Sequence, residues 1–223
     1  MEARRTIGII GGAGHEGSGL AVRWAAAGHR VLIGSRDAAR AQAAAEELNV
    51  MLPEPRISGA SNEETAAQAE IVVLAVPFSA QQATALSVAE QLTGKILIDV
   101  TAPLVPPKVG TVQLPAGGSA VAALQAELGA RVRVVSAFQN ISAHHLRDLH
   151  HPMNCDVLVS ADDAEAAEVA IGLVADAGMK GWHVGPLANS AAAEALTSIM
   201  IMLNRKYKLT GAGIRITAPE IEA

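Results

Sequence analysis

The stretch Thr6-Ile7-Gly8-Ile9-Ile10-Gly11-Gly12-Ala13-Gly14-His15-Glu16-Gly17 decides the fold of this chain. Its apolar start predicts a buried strand, and its glycines form a GxGxxG pattern that opens a helix. Such glycines allow a tight turn, close approach of a pyrophosphate to the backbone, and close packing of helix on strand. The helix N-terminus adds amide donors and a partial positive charge. The stretch therefore predicts a dinucleotide-binding unit.

Strand and helix patterns alternate outward from this turn, which favours βαβ units and a mainly parallel sheet. The predicted strands cover residues 6–10, 30–34, 56–59, 70–76, 95–100, 131–136, 155–160 and 179–184. Helices are predicted after the glycine turn to about Gly28, at 37–48, from the capping box of Ser61 and Glu64, from Pro77 to about Leu92, and at 119–128, 166–177 and 190–208. The predicted fold class is α/β: a Rossmann-type, doubly wound, mainly parallel sheet with a small, mostly helical C-terminal part.

The chain is predicted to divide after Gly185. Residues 1–185 would form the dinucleotide-binding domain, and residues 186–223 a small helical domain that completes the substrate cleft. The final helix is apolar on more than one side, so it is expected to be buried twice, against the first domain and against a second subunit. Its main apolar face is predicted to consist of Ala192, Ala195, Leu196, Ile199, Met200, Leu203 and Tyr207.

The end of the second strand distinguishes the two nicotinamide cofactors. An NAD site usually has Asp or Glu there for the ribose 2′-hydroxyl, whereas an NADP site has hydroxyl or basic groups for the 2′-phosphate. This chain has Ser35 and Arg36, with Arg40 one helical turn further on. A guanidinium can donate two parallel hydrogen bonds to a phosphate. These residues favour NADP over NAD.

Composition excludes several classes of protein. The 223 residues carry 17 basic and 22 acidic side chains, and a net charge of −5 is unlike that of a nucleic-acid binder. No apolar run approaches the roughly 18 residues that a membrane span needs. The single cysteine, Cys155, forms no internal disulfide, which fits a reducing compartment. A cytoplasmic protein without membrane or nucleic-acid partners is expected.

Further segments carry a resemblance to a known family. They are 9–14, 33–36, Val76-Pro77-Phe78, 136–141, Gly185-Pro186-Leu187-Ala188-Asn189-Ser190 and 194–197. Over nearly its whole length the chain resembles the NADPH-dependent reductases of the deazaflavin coenzyme F420. The late Gly-Pro-Leu-x-Asn-Ser segment is more specific than the glycine turn, because other Rossmann enzymes lack it.

The resemblance implies direct hydride transfer between NADP(H) and coenzyme F420 in a homodimer, with no catalytic side chain required. The implied cofactor site contains Gly12, Ala13, Gly14, His15, Glu16 and Gly17 at the pyrophosphate, Ser35, Arg36 and Arg40 at the 2′-phosphate, and Val76, Pro77 and Phe78 beside the nicotinamide. The implied deazaflavin site contains Gln139, Asn140, Ile141 and Leu187. Three positions depart from common family residues: Ala13 is often threonine, Gln139 can be histidine, and Ala191 is often arginine.

Other functions stay open at this point. The same cofactor could serve to reduce a flavin or a small imine or carbonyl, or the chain could be a non-catalytic NADP(H) sensor. The pairs His144-His145 and His150-His151, near Cys155, lack the spacing of a metal site, so no metal is predicted. Asp99, at the end of a strand, is expected to orient either a ribose or a buried backbone group.

Overall fold

A computed structural model of the chain describes residues 4–217. The strands are β1 (Thr6–Ile10), β2 (Arg30–Ser35), β3 (Ile57–Ser61), β4 (Ile71–Leu74), β5 (Ile96–Asp99), β6 (Arg133–Ser136), β7 (Asp156–Ala161) and β8 (Lys180–His183). The α-helices are α1 (His15–Ala26), α2 (Ala38–Asn49), α3 (Asn62–Gln68), α4 (Phe78–Ser87), α5 (Ala120–Leu128), α6 (Ala143–Leu146), α7 (Ala164–Asp176) and α8 (Ser190–Tyr207). The strand and helix order confirms the predicted α/β class.

The strands described within residues 4–217 form one sheet in the order β3-β2-β1-β4-β5-β6-β7-β8. Every neighbouring pair is parallel except β6 and β7. The strand order reverses between β1 and β4, and ligands of such sheets bind outside the carboxyl ends of the strands at this reversal. The glycine turn follows β1, so it lies at that crevice.

Buried apolar runs explain where the strands form, and side-chain caps explain where several helices begin. All four residues of β4, Ile-Val-Val-Leu, are buried because helices cover both faces of the sheet. Asp37 caps α2, Ser119 caps α5 and Asp163 caps α7, each by accepting hydrogen bonds from first-turn amides. The predicted capping box of Ser61 and Glu64 begins α3, with both reciprocal bonds formed.

Helix α4 is shorter than its sequence pattern predicts. The pattern continues to about Leu92, but the helix ends at Ser87 and turns lead on to Gly94. Val88 leaves helical geometry, with φ −124° and ψ 17°. The amides of Val88 and Ala89 bond to carbonyls only three residues back. These tighter hydrogen bonds end the helix at Ser87, although the apolar spacing of the sequence continues.

The side of α8 that packs against the rest of the chain is not the main apolar face predicted from the sequence. None of the seven residues predicted for that face is fully buried, and Ile199 and Met202 are 42% and 46% exposed. The helix instead buries Ser190, Ala193, Glu194 and Ser198. The physical reason is a hydrogen-bond network: the Glu194 carboxylate bonds to the start of α5, and this fixes the rotation of the helix. The apolar side of α8 is left partly exposed in the single chain.

Two apolar clusters form the core, one on each face of the sheet. The first contains Trp24 and Phe138, whose rings meet edge to face at 5.8 Å, and the second lies under α5. The division after Gly185 stays a prediction, and residues 1–3 and 218–223 of the two predicted domains lie outside the described residues. Between residues 4 and 217, no helix combines the length and apolarity that a bilayer span needs.

Candidate functional site

The glycine turn leaves the start of α1 open to a ligand. Gly14 occupies the N-cap position without a side-chain cap, so the first amides of the helix are available to an anion. A Cβ on Gly17 would lie 2.8 Å from the Gly11 carbonyl oxygen, and one on Gly12 would lie 2.6 Å from Ile33. Both glycines therefore let the turn pack closely against the sheet. Gly14 itself is exposed at the crevice.

The end of β2 presents unpaired basic groups beside this turn. Asp37 accepts hydrogen bonds from the amides of Ala39 and Arg40, at 3.0 and 3.4 Å, so its carboxylate caps α2. The Asp37 amide donates to Ser35 Oγ at 3.2 Å, which leaves the hydroxyl hydrogen free to bond elsewhere. Arg36 and Arg40 are exposed, and within residues 4–217 neither forms an ion pair. These groups can bind a phosphate.

The segment after β4 lies at the same edge of the sheet, on the other side of β1. Pro77 begins α4, and Val76 and Phe78 are partly buried. Phe78 lines a cavity of about 440 Å³ between α4 and α5, whose far wall includes Ala120 and Leu124. The structure therefore places Val76, Pro77 and Phe78 next to the crevice, across β1 from Ser35.

Asp99 is the buried polar centre of this edge. Its Oδ1 accepts a hydrogen bond from the Thr101 amide at 2.8 Å, and its Oδ2 accepts one from Gln81 Nε2 at 2.5 Å. Burial raises the pKa of Asp99 to about 6, and the charge of Glu194 adds to this rise. The hydrogen bonds from Thr101 and Gln81 lower the pKa, because they stabilise the carboxylate. The carboxylate therefore holds a buried backbone amide, one of the two roles expected for it.

The predicted deazaflavin segment follows β6. Phe138 adopts a left-handed backbone conformation with φ 73°, which is rare for a bulky residue and turns the chain sharply. Gln139 Nε2 donates to the Asp99 carbonyl at 2.7 Å, and Asn140 Nδ2 donates to the Asp156 carbonyl at 2.7 Å. The side-chain oxygen of each amide, Gln139 Oε1 and Asn140 Oδ1, is buried without a partner among residues 4–217.

Gln139, Asn140 and Ile141 line one cavity of about 210 Å³ together with Thr197 and Met200 of α8 and with Ala212. Leu187 is not at this cavity. It is 2% exposed and packs in the core under α5, and its amide donates to Asp162 Oδ1 at 2.9 Å. The structure thus brings together three of the four residues predicted for the deazaflavin.

Two buried charged residues hold neighbouring segments together: Arg23, which no motif indicated, and Glu194, which begins the segment 194–197 of the family resemblance. Arg23, in α1, is 7% exposed, and its guanidinium donates to the carbonyls of His145, Leu146, Asp148, His151 and Ala177. Glu194, in α8, is 1% exposed and accepts bonds from Ser119 Oγ, Ser190 Oγ and the amides of Ala120 and Val121. Each is a lone charge on an otherwise apolar stretch of helix, a signal that could have indicated burial.

The histidine-rich loop packs against the tail of the chain. The rings of His145 and His151 stack at 3.9 Å, and His144 meets His145 edge to face. His145 Nε2 lies 3.1 Å from the Thr210 carbonyl oxygen. In the part of the chain that the structure describes, no group of three or more potential metal ligands comes together. The loop contributes to packing between α1, α6 and residues 210–213.

Comparison with known proteins agrees with this geometry. The sequence profile of the family described as NADP oxidoreductase, coenzyme F420-dependent, matches residues 6–103. An F420-dependent NADP reductase of Methanothermobacter thermautotrophicus is 40% identical over 97% of this chain and 97% of its own length. The F420-dependent NADP reductase of Methanocaldococcus jannaschii is 37% identical over 96% and 99%.

A solved structure extends the similarity to three dimensions. The crystal structure of a protein from Arthrobacter sp. FB24 matches with a TM-score of 0.77 at 27% identity. The match covers 97% of this chain and 100% of that chain. The similarity therefore includes α8 and the segment after β6, as well as the glycine turn.

Proposed function

The chain belongs to the F420-dependent NADP reductases, and from this membership we propose how its own residues hold the two ligands. The protein is an oxidoreductase that transfers a hydride between NADP(H) and coenzyme F420. The observation that carries the residue assignments is the meeting of three features at one edge of the sheet. They are the uncapped start of α1, the free groups at Ser35 and Arg36, and the cavity beside Gln139.

The proposed cofactor site runs across β1. The amides at the start of α1 bind the pyrophosphate, and the free hydroxyl of Ser35 with the guanidinium groups of Arg36 and Arg40 binds the 2′-phosphate. This direction puts the nicotinamide on the opposite side, beside Val76 and the first turn of α4. The residues present fit NADP, because the described residues at the end of β2 offer no carboxylate for a bare 2′-hydroxyl: Asp37 is committed to its helix cap.

The proposed acceptor site is the cavity of Gln139, Asn140 and Ile141. Its position fits, since the Gln139 side chain bonds to the backbone of Asp99 next to the expected nicotinamide position. When bound, the two ligands supply the chemistry themselves, a hydride passing between C4 of the nicotinamide and C5 of the deazaflavin. The protein orients the rings and excludes water. Gln139 and Asn140 are among the polar side chains that line this cavity.

Turnover tests the acceptor. NADPH is mixed with the protein and with coenzyme F420, a flavin, or a cyclic imine, each separately, and absorbance is followed. We expect loss of the visible band of the deazaflavin and slower or no reaction with the other two. Rapid turnover of a flavin or an imine, with the deazaflavin unchanged at high enzyme concentration, would contradict the proposal.

We further propose that the protein is a cytoplasmic homodimer. The exposed apolar side chains of α8 support the dimer, since Ile199, Met202 and Tyr207 are at least 42% exposed in the single chain. The single cysteine supports the compartment. Sedimentation analysis should give a dimer for the natural sequence and a smaller species for Met202→Glu. A monomer at micromolar concentration would rule out this interface.

A further inference from the structure

The first residue of β7, Asp156, is a buried carboxylate that is 7% exposed. The other five residues of the strand, Val-Leu-Val-Ser-Ala, are also buried and carry no charge. Within residues 4–217 Asp156 forms no ion pair with a basic side chain. A buried carboxylate costs free energy unless hydrogen bonds replace the water that it loses. The hydrogen-bond partners of Asp156 therefore indicate its role.

The side chain of Asp156 binds the C-terminal tail, residues 209–217. Its Oδ2 accepts a hydrogen bond from the Ile216 amide at 2.8 Å and another from Trp182 Nε1 at 2.8 Å. The Asp156 amide donates to the Ile214 carbonyl at 2.8 Å. Residues 209–217 belong to no helix or strand. The position of the tail therefore depends on its bonds to the rest of the protein.

The tail is attached through the backbone of alternate residues, beginning at Thr210. His145 Nε2 lies 3.1 Å from the Thr210 carbonyl oxygen, and the Ala212 amide donates to Asn204 Oδ1 at 3.0 Å. An extended chain presents the backbone groups of alternate residues along one edge. The two attachments that follow Ala212 along this edge both involve Asp156.

Asp156 also bonds to the segment that follows β6. Its carbonyl accepts a hydrogen bond from Asn140 Nδ2 at 2.7 Å, and Asn140 is 2% exposed. Asn140, Asn204 and Ala212 all line the cavity that we propose as the acceptor site. One residue thus bonds to two segments that contribute walls to this cavity.

We propose that Asp156 is a positioning residue of the acceptor site: its carboxylate fixes the tail so that Ala212 forms part of the cavity wall. The backbone carbonyl can bind Asn140 whatever the side chain is, so the carboxylate acts on the tail. Its loss should loosen the wall at Ala212 and weaken binding of the acceptor. The dinucleotide site is unaffected, because three strands separate β7 from β1 in the sheet. The inference rests on the proposed function, since it takes this cavity as the acceptor site.

The test compares two dissociation constants measured by calorimetry, that of oxidised coenzyme F420 in saturating NADP⁺ and that of NADPH alone. In Asp156→Ala we expect the constant for coenzyme F420 to rise about tenfold, the factor that corresponds to the loss of about one hydrogen bond. The constant for NADPH should stay the same. Asp156→Asn should restore most of the affinity, because an amide oxygen can still accept a hydrogen bond from Ile216.

A matched pair of variants changes the same hydrogen bond from the side of the tail. Ile216→Pro removes the amide hydrogen that donates to Asp156, and Ile216→Ala retains it. Ile216 is 46% exposed, so neither substitution alters the core. We expect weaker binding of coenzyme F420 and faster hydrogen exchange of the Ala212 amide in Ile216→Pro only. If Asp156→Ala does not fold, this pair still decides.

Asp163→Ala is the control for a general loss of stability. Asp163 caps α7 by accepting a hydrogen bond from the Ala166 amide at 2.7 Å, so its loss lowers the melting temperature through that helix. Both dissociation constants should stay the same in this variant. Unchanged binding of coenzyme F420 in Asp156→Ala and Ile216→Pro, or an equal loss of NADPH binding, would overturn the inference.

The outcome is separate from the acceptor assignment. Hydrogen exchange is measured without a ligand, so it reports on the tail whichever acceptor is reduced. If coenzyme F420 does not bind to the natural protein, the acceptor assignment fails, and the exchange of Ala212 in Ile216→Pro still shows whether Asp156 fixes the tail. Tight binding of coenzyme F420 that is equal in all variants would keep the acceptor and overturn the role of Asp156.

Discussion

At the scale of single residues, the proposed selection of NADP depends on which charged side chains at the end of β2 can contact the cofactor. Asp37 could have held a ribose hydroxyl, as in an NAD site, but it caps α2. Arg36 and Arg40 are exposed and free of ion pairs within residues 4–217. In the proposed site, selection for the 2′-phosphate therefore rests on the guanidinium groups and the Ser35 hydroxyl.

We predict that Arg36→Ala weakens NADPH binding while hardly affecting NADH. A hydrogen bond to a charged group is worth about 1.5–3 kcal/mol, which corresponds to about a 10- to 150-fold loss. Ser35→Ala should act in the same direction but less strongly, because one neutral donor is lost. The measurement is kcat/KM for both nucleotides.

Arg30→Ala is the matched control for this prediction. Arg30 is also an exposed arginine of β2, but it begins the strand and so lies at the opposite edge of the sheet. Its removal should leave the preference for NADPH unchanged. If the preference for NADPH survives in Arg36→Ala, or if kcat/KM for NADH falls as much as kcat/KM for NADPH, then Arg36 is only a solvated charge at a helix start.

At the scale of elements, Glu194 joins α8 to the start of α5. Its carboxylate accepts four hydrogen bonds at 2.7–3.2 Å, two from serine hydroxyls and two from backbone amides. Ser190 in turn bonds to Ser136 at the end of β6 at 2.8 Å. This network fixes which side of α8 faces the sheet, and thus which residues reach the cavity beside Gln139.

We predict that Glu194→Ala destabilises the fold by about 3 kcal/mol, since each buried group left without a partner costs about 1–3 kcal/mol. For a chain of this size the melting temperature should fall by about 6–12 °C. Glu194→Gln keeps one acceptor oxygen and should cost less. Thermal unfolding followed by circular dichroism measures both, with Glu168→Ala as an exposed control. A melting temperature unchanged in Glu194→Ala would show that the network contributes little.

At the scale of the whole molecule, the C-terminal part lines the cavity that we propose as the acceptor site. Met200, Ala212 and Thr197 line the cavity beside Gln139, and the Thr197 hydroxyl donates to the Gln139 carbonyl at 2.6 Å. The tail also returns to the sheet, where the Asp156 amide donates to the Ile214 carbonyl at 2.8 Å. The cavity therefore exists only when segments far apart in sequence are packed together.

We predict that removal of the residues after Pro186 abolishes turnover and causes aggregation. The truncation deletes α8, uncovers apolar residues of the core under α5, and leaves the start of α5 without Glu194. Size-exclusion chromatography and F420 turnover measure the two effects. A soluble, active, monomeric product would show that α8 neither closes the site nor contributes to a dimer.

The sequence by itself determined the order of the strands and of the helices other than α6, the glycine turn, the capping box and the cofactor class. These features depend on neighbours along the chain: apolar periodicity, a cap three residues from its partner, or two basic residues one turn apart. The same locality explains why the end of α4 was misplaced. Its apolar spacing continues past Ser87, and the sequence does not show that the amide of Val88 bonds three residues back.

Only the tertiary structure decided the rotation of α8 and the burial of Leu187. The main apolar face predicted for α8 includes Ile199, which is 42% exposed. The helix instead buries Glu194, whose carboxylate accepts four hydrogen bonds. Three of these four bonds join residues 73 or more positions apart, and their free energy depends on distance and burial, which no local pattern contains.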